Sequence, residues 1–196
     1  MATKELTSGK PLKLIFLFML PMFFGNLFQQ IYNLADALIV GRTIGLEALA
    51  AVGATSPMIF LVISFIFAST QGFAVVTAQR FGARDYENVR KSVAAGFILS
   101  FVLTLIMTAI SLPFVQQMLD ILRTPDDIIN LAHDYLFIMF AGIIATVFYN
   151  LSSKIIRALG DSKTPLYFLI FASILNIFLD LLFILKFHLG VAGAAW

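Results

Sequence analysis

Residues 48–79 read ALAAVGATSPMIFLVISFIFASTQGFAVVTAQ, 32 consecutive positions without an Asp, Glu, Lys or Arg. A helix needs about 20 predominantly apolar residues to cross the hydrocarbon core of a bilayer, so this run is long enough with residues to spare. It does not alternate, whereas a transmembrane strand alternates apolar and polar residues over about 10 positions. Lipid offers the backbone no hydrogen bonds, and a helix satisfies its own. The reading extends outward in both directions. Further charge-free runs are Leu14–Ala35 (22 residues), Ser92–Leu119 (28), Tyr135–Ser153 (19) and Thr164–Leu179 (16). The last continues past Asp180 to Leu185. These runs predict an all-α membrane protein: a bundle of five complete transmembrane helices at 12–41, 53–80, 88–117, 127–157 and 164–187. The small apolar residues Gly190–Trp196 predict the start of a sixth helix from 190, so the chain is expected to be a fragment that ends inside a span.

Composition agrees. Of 196 residues, 60% are apolar and 12% charged, with a mean hydropathy of +0.96. A soluble domain carries about 25% charged residues, and this chain could not cover a water-facing surface. The absence of cysteine excludes disulfides, thiolate metal sites and a cysteine nucleophile. A net charge of +2 gives no reason to expect a nucleic-acid partner. No Gly-rich phosphate loop, metal-ligand cluster or Ser/His/Asp set is present, so neither an enzyme nor a cofactor is expected.

The positions of the basic residues predict the topology. With the N-terminus in the cytoplasm, the inner segments hold Lys4, Lys10, Lys13, Arg80, Arg84, Arg90, Lys91, Lys154, Arg157 and Lys163. The outer segments hold only Arg42, Arg123 and Lys186. Ten against three follows the positive-inside bias. The first apolar run is too long for a signal-peptide core and lacks a small-x-small cleavage site, so it is expected to be retained.

Two acids fall inside spans, Asp36 in helix one and Asp180 in helix five. An ionised Asp at mid-span costs about 2.5–3.5 kcal/mol on insertion scales, so each needs a partner, a proton or a water-filled cavity. At 1.5 Å rise, Asp36 lies roughly 36 Å along its helix and Asp180 roughly 24 Å along its own. Both fall in the outer half of the membrane and can share one site. Asn26, Gln29, Gln30, Asn33 and Asp36 follow spacings of three and four, as do Ser173, Asn176 and Asp180. Such spacing stacks side chains along one helix face, and the stripes are expected to point into the bundle. Interhelical hydrogen bonds that only hold the helices together, at about 0.6 kcal/mol each, would account for the same residues. The functional alternative is an ion site. Two carboxylates in a low dielectric repel unless a proton or a cation lies between them. With amide oxygens from Asn33 and Asn176, the cluster would take H⁺, or Na⁺ through oxygen at Asp36, Asn176 and Asp180.

Other polar residues are weaker candidates. Pro21 removes a backbone donor from helix one and predicts a kink, which would let the outer half move as Asp36 changes charge. Gln71, with Ser69 and Thr70, interrupts the second apolar run and is a candidate for lining a cavity, although hydroxyls also bond back to their own helix. Tyr149 and Asn150 are candidates for the same cavity. His133 and His188 fall near membrane edges and are expected to be interfacial. Most of the 21 Phe residues are expected to face lipid or pack between helices, a few lining a cavity where aromatic faces attract organic cations.

Several stretches are similar to one family. Val40-Gly41-Arg42, then Leu49-Ala50-Ala51-Val52-Gly53 and Pro57, resembles the first loop of the multidrug and toxic compound extrusion (MATE) transporters. Gln79-Arg80-Phe81-Gly82-Ala83 with Arg90-Lys91 resembles their loop between helices two and three. The most specific piece runs from Arg157 through Ala158-Leu159-Gly160-Asp161-Ser162-Lys163-Thr164-Pro165 to Asn176-Ile177-Phe178-Leu179-Asp180 and Gly190–Ala195. The resemblance covers essentially the whole chain. It implies one lobe, residues 1–196, of a twelve-helix, two-lobe antiporter in a prokaryotic inner membrane. Such a protein exports organic cations, drugs and toxic compounds against H⁺ or Na⁺, with the C-terminal lobe missing here. Asp36, Asn176 and Asp180 match positions that the family links to cation coupling. Gly160 is placed to end helix four, Asp161-Ser162 to cap helix five, and Pro165 to occupy its first turn. Two alternatives are an inactive or assembly-only lobe, and a lipid-linked precursor flippase of the same superfamily. The flippase would carry a basic cavity, whereas the cavity candidates above are acids and amides.

Overall fold

The computed structural model describes residues 10–195; Lys4 and Trp196, used above, lie outside the described residues. The helices are α1 (Pro11–Thr43), α2 (Leu46–Gly82), α3 (Tyr86–Ser111), α4 (Val115–Ile121), α5 (Ile129–Ala141), α6 (Ile143–Ala158), α7 (Thr164–Leu181) and α8 (Gly190–Ala195). A 3₁₀ turn at Leu112–Phe114 joins α3 to α4, and a π-helical turn at Leu182–Lys186 extends α7. There is no strand among the described residues. Four helical stretches are long and apolar enough to cross a membrane: α1, α2, α3 with α4, and α7 with its π turn. The pair α5–α6 passes as a fifth, bent by 46°. The chain is a multi-pass membrane protein with an all-helical bundle.

The element boundaries differ from the charge-free runs for identifiable reasons. Helix two begins at Leu46 rather than 53, because Gly45, at φ 121°, makes the turn and Glu47 sits in the first helical turn. An acid there meets the positive end of the helix dipole, so a charge marks the helix start rather than a loop. Helix three, expected over 88–117, is re-formed at Pro113, which lacks the N–H that an α-helix needs. Helix four, expected over 127–157, is two helices hinged at Gly142; sharp kinks commonly fall at glycine. Helix two runs unbroken past Ser69, Thr70 and Gln71. Ser69 and Thr70 donate to the carbonyls of Phe65 and Ile66 at 2.9 and 2.8 Å, which satisfies both hydroxyls within the helix.

Small residues let these helices approach closely. Between lipid-embedded helices no hydrophobic force operates, so packing and interhelical hydrogen bonds hold them together. Ala48, Ala51, Thr55, Thr70, Ala74 and Thr77 share the buried face of α2 with Val62 and Ile66. At Gly96 of α3, an added Cβ would lie 3.5 Å from Phe73 and 3.8 Å from Leu151, so this glycine marks where α2, α3 and α6 converge. The main apolar core joins Val62 and Ile66 to Leu119, Leu136, Phe140 and Val147. Phe60, Ile98, Leu105 and Phe171 are exposed, as befits a lipid-facing surface.

The turn between α6 and α7 is held by a carboxylate. Asp161 accepts from the N–H groups of Lys163 and Thr164 at 2.9 and 3.0 Å and from Thr164 Oγ1 at 2.6 Å. These bonds, the hydroxyl's foremost, hold its carboxyl below the ordinary carboxylate range. Gly160, at φ 90°, ends α6, and Pro165 opens α7 as expected. Asp161 does the capping expected of Asp161-Ser162, whereas Ser162 is buried. Asp161→Ala is expected to cost about 1 kcal/mol, the worth of a local hydrogen-bonded cap, read as a lower unfolding temperature in detergent. A carboxyl depressed by folding stabilises above its unfolded value of about 3.9 and loses that contribution as pH falls through its folded value. The wild-type and variant melting curves should therefore converge below about pH 4.

Candidate functional site

Helix α1 and helix α7 run parallel in contact. Gly25 faces Leu166 and Leu169, whose methyl groups would lie 3.8 and 3.7 Å from a Cβ added there. Further along the same pair, the Asp36 and Asp180 side chains face each other. Contacts advance together along both helices, as they must when three spans intervene. The unequal depths estimated from sequence are thereby reconciled, because α1 starts well before the level at which α7 begins.

Asp180 is 1% exposed and Asp36 is half-buried. Asp36 Oδ1, Asp180 Oδ2 and Asn176 Oδ1 are all buried without a hydrogen-bond partner. Asn176 lies one turn before Asp180 and so on the same face. The two facing carboxylates and the amide one turn away thus present acceptor oxygens without donors, which a proton or a hard cation would satisfy. Among the described residues, no three of His, Cys, Asp and Glu stand together, so the oxygens come from two carboxylates and one amide. Two residues behind Asp180 the backbone enters the π turn, a departure often found at functional sites.

The rest of the helix-one stripe does not join the cluster. Asn26, Gln29, Gln30 and Asn33 are exposed, and Asn33 donates its amide to Gln30 Oε1 at 3.3 Å. The expectation that the whole stripe points into the bundle fails, and with it the placing of Asn33 beside the carboxylates. At about 100° per residue, Asp36 lies about 80° round the helix from Asn26, at the edge of the polar arc. That edge meets α7 while the centre faces away. On α7, Ser173 donates back to the Leu169 carbonyl at 2.8 Å.

Two tyrosines belong near the pair and escaped the sequence reading. Tyr32 of α1 and buried Tyr135 of α5 both lie within electrostatic range of Asp36 and Asp180. Tyr32 precedes Asp36 by one turn, a spacing that could have pointed to it. Nothing local marks Tyr135, which arrives from another span and packs among Val40, Ala48 and Val191.

The cavity candidates separate. Gln71 lines a cavity of about 210 Å³ between α1, α2 and α6. Tyr149 lines a larger apolar one of about 470 Å³ between α6 and α7, with Phe148, Phe168 and Phe171. Asn150 shares neither; it is buried and donates to the Thr146 carbonyl at 2.8 Å. The Gln71 cavity is also lined by Lys154 and Arg157, which corrects the expectation of a lining made only of acids and amides. His133 stacks on Phe137 at 6.1 Å, and His188 is exposed.

Compared with known families, residues 21–182 match the MatE profile. The chain belongs to the MatE family. Among MatE relatives, the probable multidrug resistance protein YpnP of Bacillus subtilis is 36% identical over 100% of this chain and 44% of its own length. A MATE solved in the straight conformation matches with a TM-score of 0.89 at 33% identity, over 99% of this chain and 44% of that one. A MATE in the bent conformation matches at 0.88 and 34%, with the same coverage. The fold is that of a MATE N-terminal lobe, and the chain spans about 44% of the length of these relatives.

Proposed function

We propose that this chain forms the N-terminal lobe of a cation-coupled antiporter that exports organic cations and other toxic compounds. Asp36 and Asp180 carry the coupling H⁺ or Na⁺, with Asn176 as a further oxygen ligand. The observation that carries this reading is the trio of buried, partnerless oxygens between α1 and α7. The exposed amides of Asn26, Gln29 and Asn33 fit a face turned toward a water-filled cavity shared with a second lobe, since polar groups facing lipid are costly. The excess of basic residues on one side of the spans supports a cytoplasmic N-terminus, and the reading puts the protein in a prokaryotic inner membrane. Lys154 drops out of that count because it is buried between helices (below), and the remaining inner charges keep the bias.

A ligand shifts a two-state protein only if it binds the states differently. Entry of a cation neutralises the repelling carboxylates and favours close packing of α1 on α7; its release favours separation. The test is drug efflux from vesicles of the full two-lobed protein under imposed H⁺ or Na⁺ gradients. Efflux should stop when the coupling gradient is collapsed, and efflux indifferent to both gradients would overturn the reading.

Pro21 gives the movement a hinge. It lies within α1 and has no N–H to offer the Leu17 carbonyl. The relatives solved in straight and bent conformations fit such a movement. Pro21→Ala should slow efflux several-fold without lowering the unfolding temperature, and unchanged transport and coupling would remove the hinge from the mechanism.

A further inference from the structure

Lys154 does not sit in a loop. It is 8% exposed, with Nζ donating to the Phe67 carbonyl and to Thr70 Oγ1 at 2.9 Å and lying 4.4 Å from the centre of the Phe67 ring. Those two bonds use two of its three protons and clamp α6 to α2. One turn further along α6, Arg157 has its Nε buried and without a partner. Neither side chain has a carboxylate within ion-pair distance among the described residues. Both line the cavity of about 210 Å³ between α1, α2 and α6, together with Gln71, Phe18, Met22 and Ala78.

A buried charge without a partner is costly, and natural structures pair it. Here two cations of one sign border the same cavity, and an unused Arg N–H and an unused Lys N–H remain. Arg offers a planar fork that suits carboxylate and phosphate, and Lys a point charge. The amide of Gln71 adds a neutral donor. Phe18 and Met22 supply an apolar wall, as a ligand with both a charged head and an apolar body requires. No described residue supplies the counter-charge.

We propose that this cavity binds an oxyanion, phosphate or carboxylate, through Lys154, Arg157 and Gln71. The site shares no residue with the carboxylate pair, and Met22 is roughly 21 Å along α1 from Asp36. It lies toward the end of the bundle where α1 begins and α6 ends, which suits either the headgroup of an anionic lipid or a free soluble anion. It stands whether or not the antiporter reading holds.

The test uses the purified full two-lobed protein in a neutral detergent and three probes: dioctanoyl phosphatidylglycerol, its zwitterionic phosphatidylcholine counterpart, and inorganic phosphate. Binding is followed by native mass spectrometry and by the shift in unfolding temperature. Saturable binding of phosphatidylglycerol but not phosphatidylcholine, with phosphate ineffective, identifies a lipid headgroup. Saturable phosphate binding identifies a soluble anion. In either case Arg157→Gln should weaken binding at least about tenfold, the loss of one charge-assisted bond, and Arg157→Lys should restore part of it. Because Lys154 also clamps two helices, its removal is not the critical variant. Ala78→Phe fills the cavity from an exposed position of α2 while keeping both charges, and should abolish binding with the ligand-free unfolding temperature unchanged. The proposal fails if no anionic probe binds saturably, or if binding survives both Arg157→Gln and Ala78→Phe.

Discussion

Asp180→Asn in the full two-lobed protein should reduce ion-driven efflux by at least about tenfold while leaving the protein folded. Moving a two-state equilibrium from 1:99 to 99:1 takes roughly 5.5 kcal/mol of differential affinity, which in the proposed mechanism the ion would supply by relieving the repulsion between two carboxylates. Asparagine keeps the size and one acceptor oxygen but carries no charge to neutralise. The lone Asp36 would then no longer be forced to release its cation when the site opens. Folding should survive, because Asp180 is 1% exposed and a neutral amide is easier to bury than a partnerless carboxylate. Asp36→Asn should produce the same loss, and the double variant should be no worse than either single one, because residues acting as one unit are not additive. The measurements are efflux under an imposed gradient and unfolding temperature in parallel. Normal coupled transport by either single variant would take that carboxylate out of the mechanism.

Phe140→Ala should be the most destabilising of the simple truncations, at about 3 kcal/mol, the lower end of the range for buried aromatics. Phe140 is 2% exposed and lies two residues before the bend at Gly142. It already borders a small void of about 20 Å³ with Val62, Ile66 and Ile143, so truncation enlarges a space that neighbours do not fill. The lower end applies because unfolding within detergent or lipid returns little apolar surface to water, and what is lost is mainly close contact. Unfolding temperature in detergent is the readout, and Phe140→Leu should lose less than half as much. Equal loss in both variants would mean that shape at the bend matters rather than filled volume.

Sequence reading reached the span number and the Asp36–Asp180 pairing because both depend on signals that survive in one dimension. A charge-free run of 20 residues has little else to be, and a carboxylate inside such a run needs a reason. The boundaries were harder. Glu47 lies outside the span 53–80 that the apolar run predicts, yet it sits in the first turn of α2, and Gly142 does not announce a 46° bend, since glycine is common in membrane helices. Spacings of three and four put Asn33 on the side of α1 that carries Asp36, but such spacing fixes a face only to within a wide arc. Tyr135 and Lys154 owe their roles to neighbours supplied by other spans. Lys154 in particular carried the ordinary signature of an inner anchor, a basic residue near a helix end, and only the arrival of Thr70 and Phe67 makes it interior.

The π turn after Asp180 has a consequence for mutagenesis. A π turn closes i→i+5 rather than i→i+4 bonds, here from Phe187 to the Leu182 carbonyl at 3.2 Å, so it holds one surplus residue. Deleting a single residue between Leu182 and Lys186 would remove that surplus and let the segment return to ordinary winding while the residues on either side keep their phase. Adding a side chain just downstream is a different matter. A Cβ on Gly193 would lie 3.1 Å from the Cβ atoms of Leu189 and Phe183, closer than ordinary contact. Gly193→Ala would thus force α8 to shift against the turn, whereas a one-residue deletion within the turn would be accommodated.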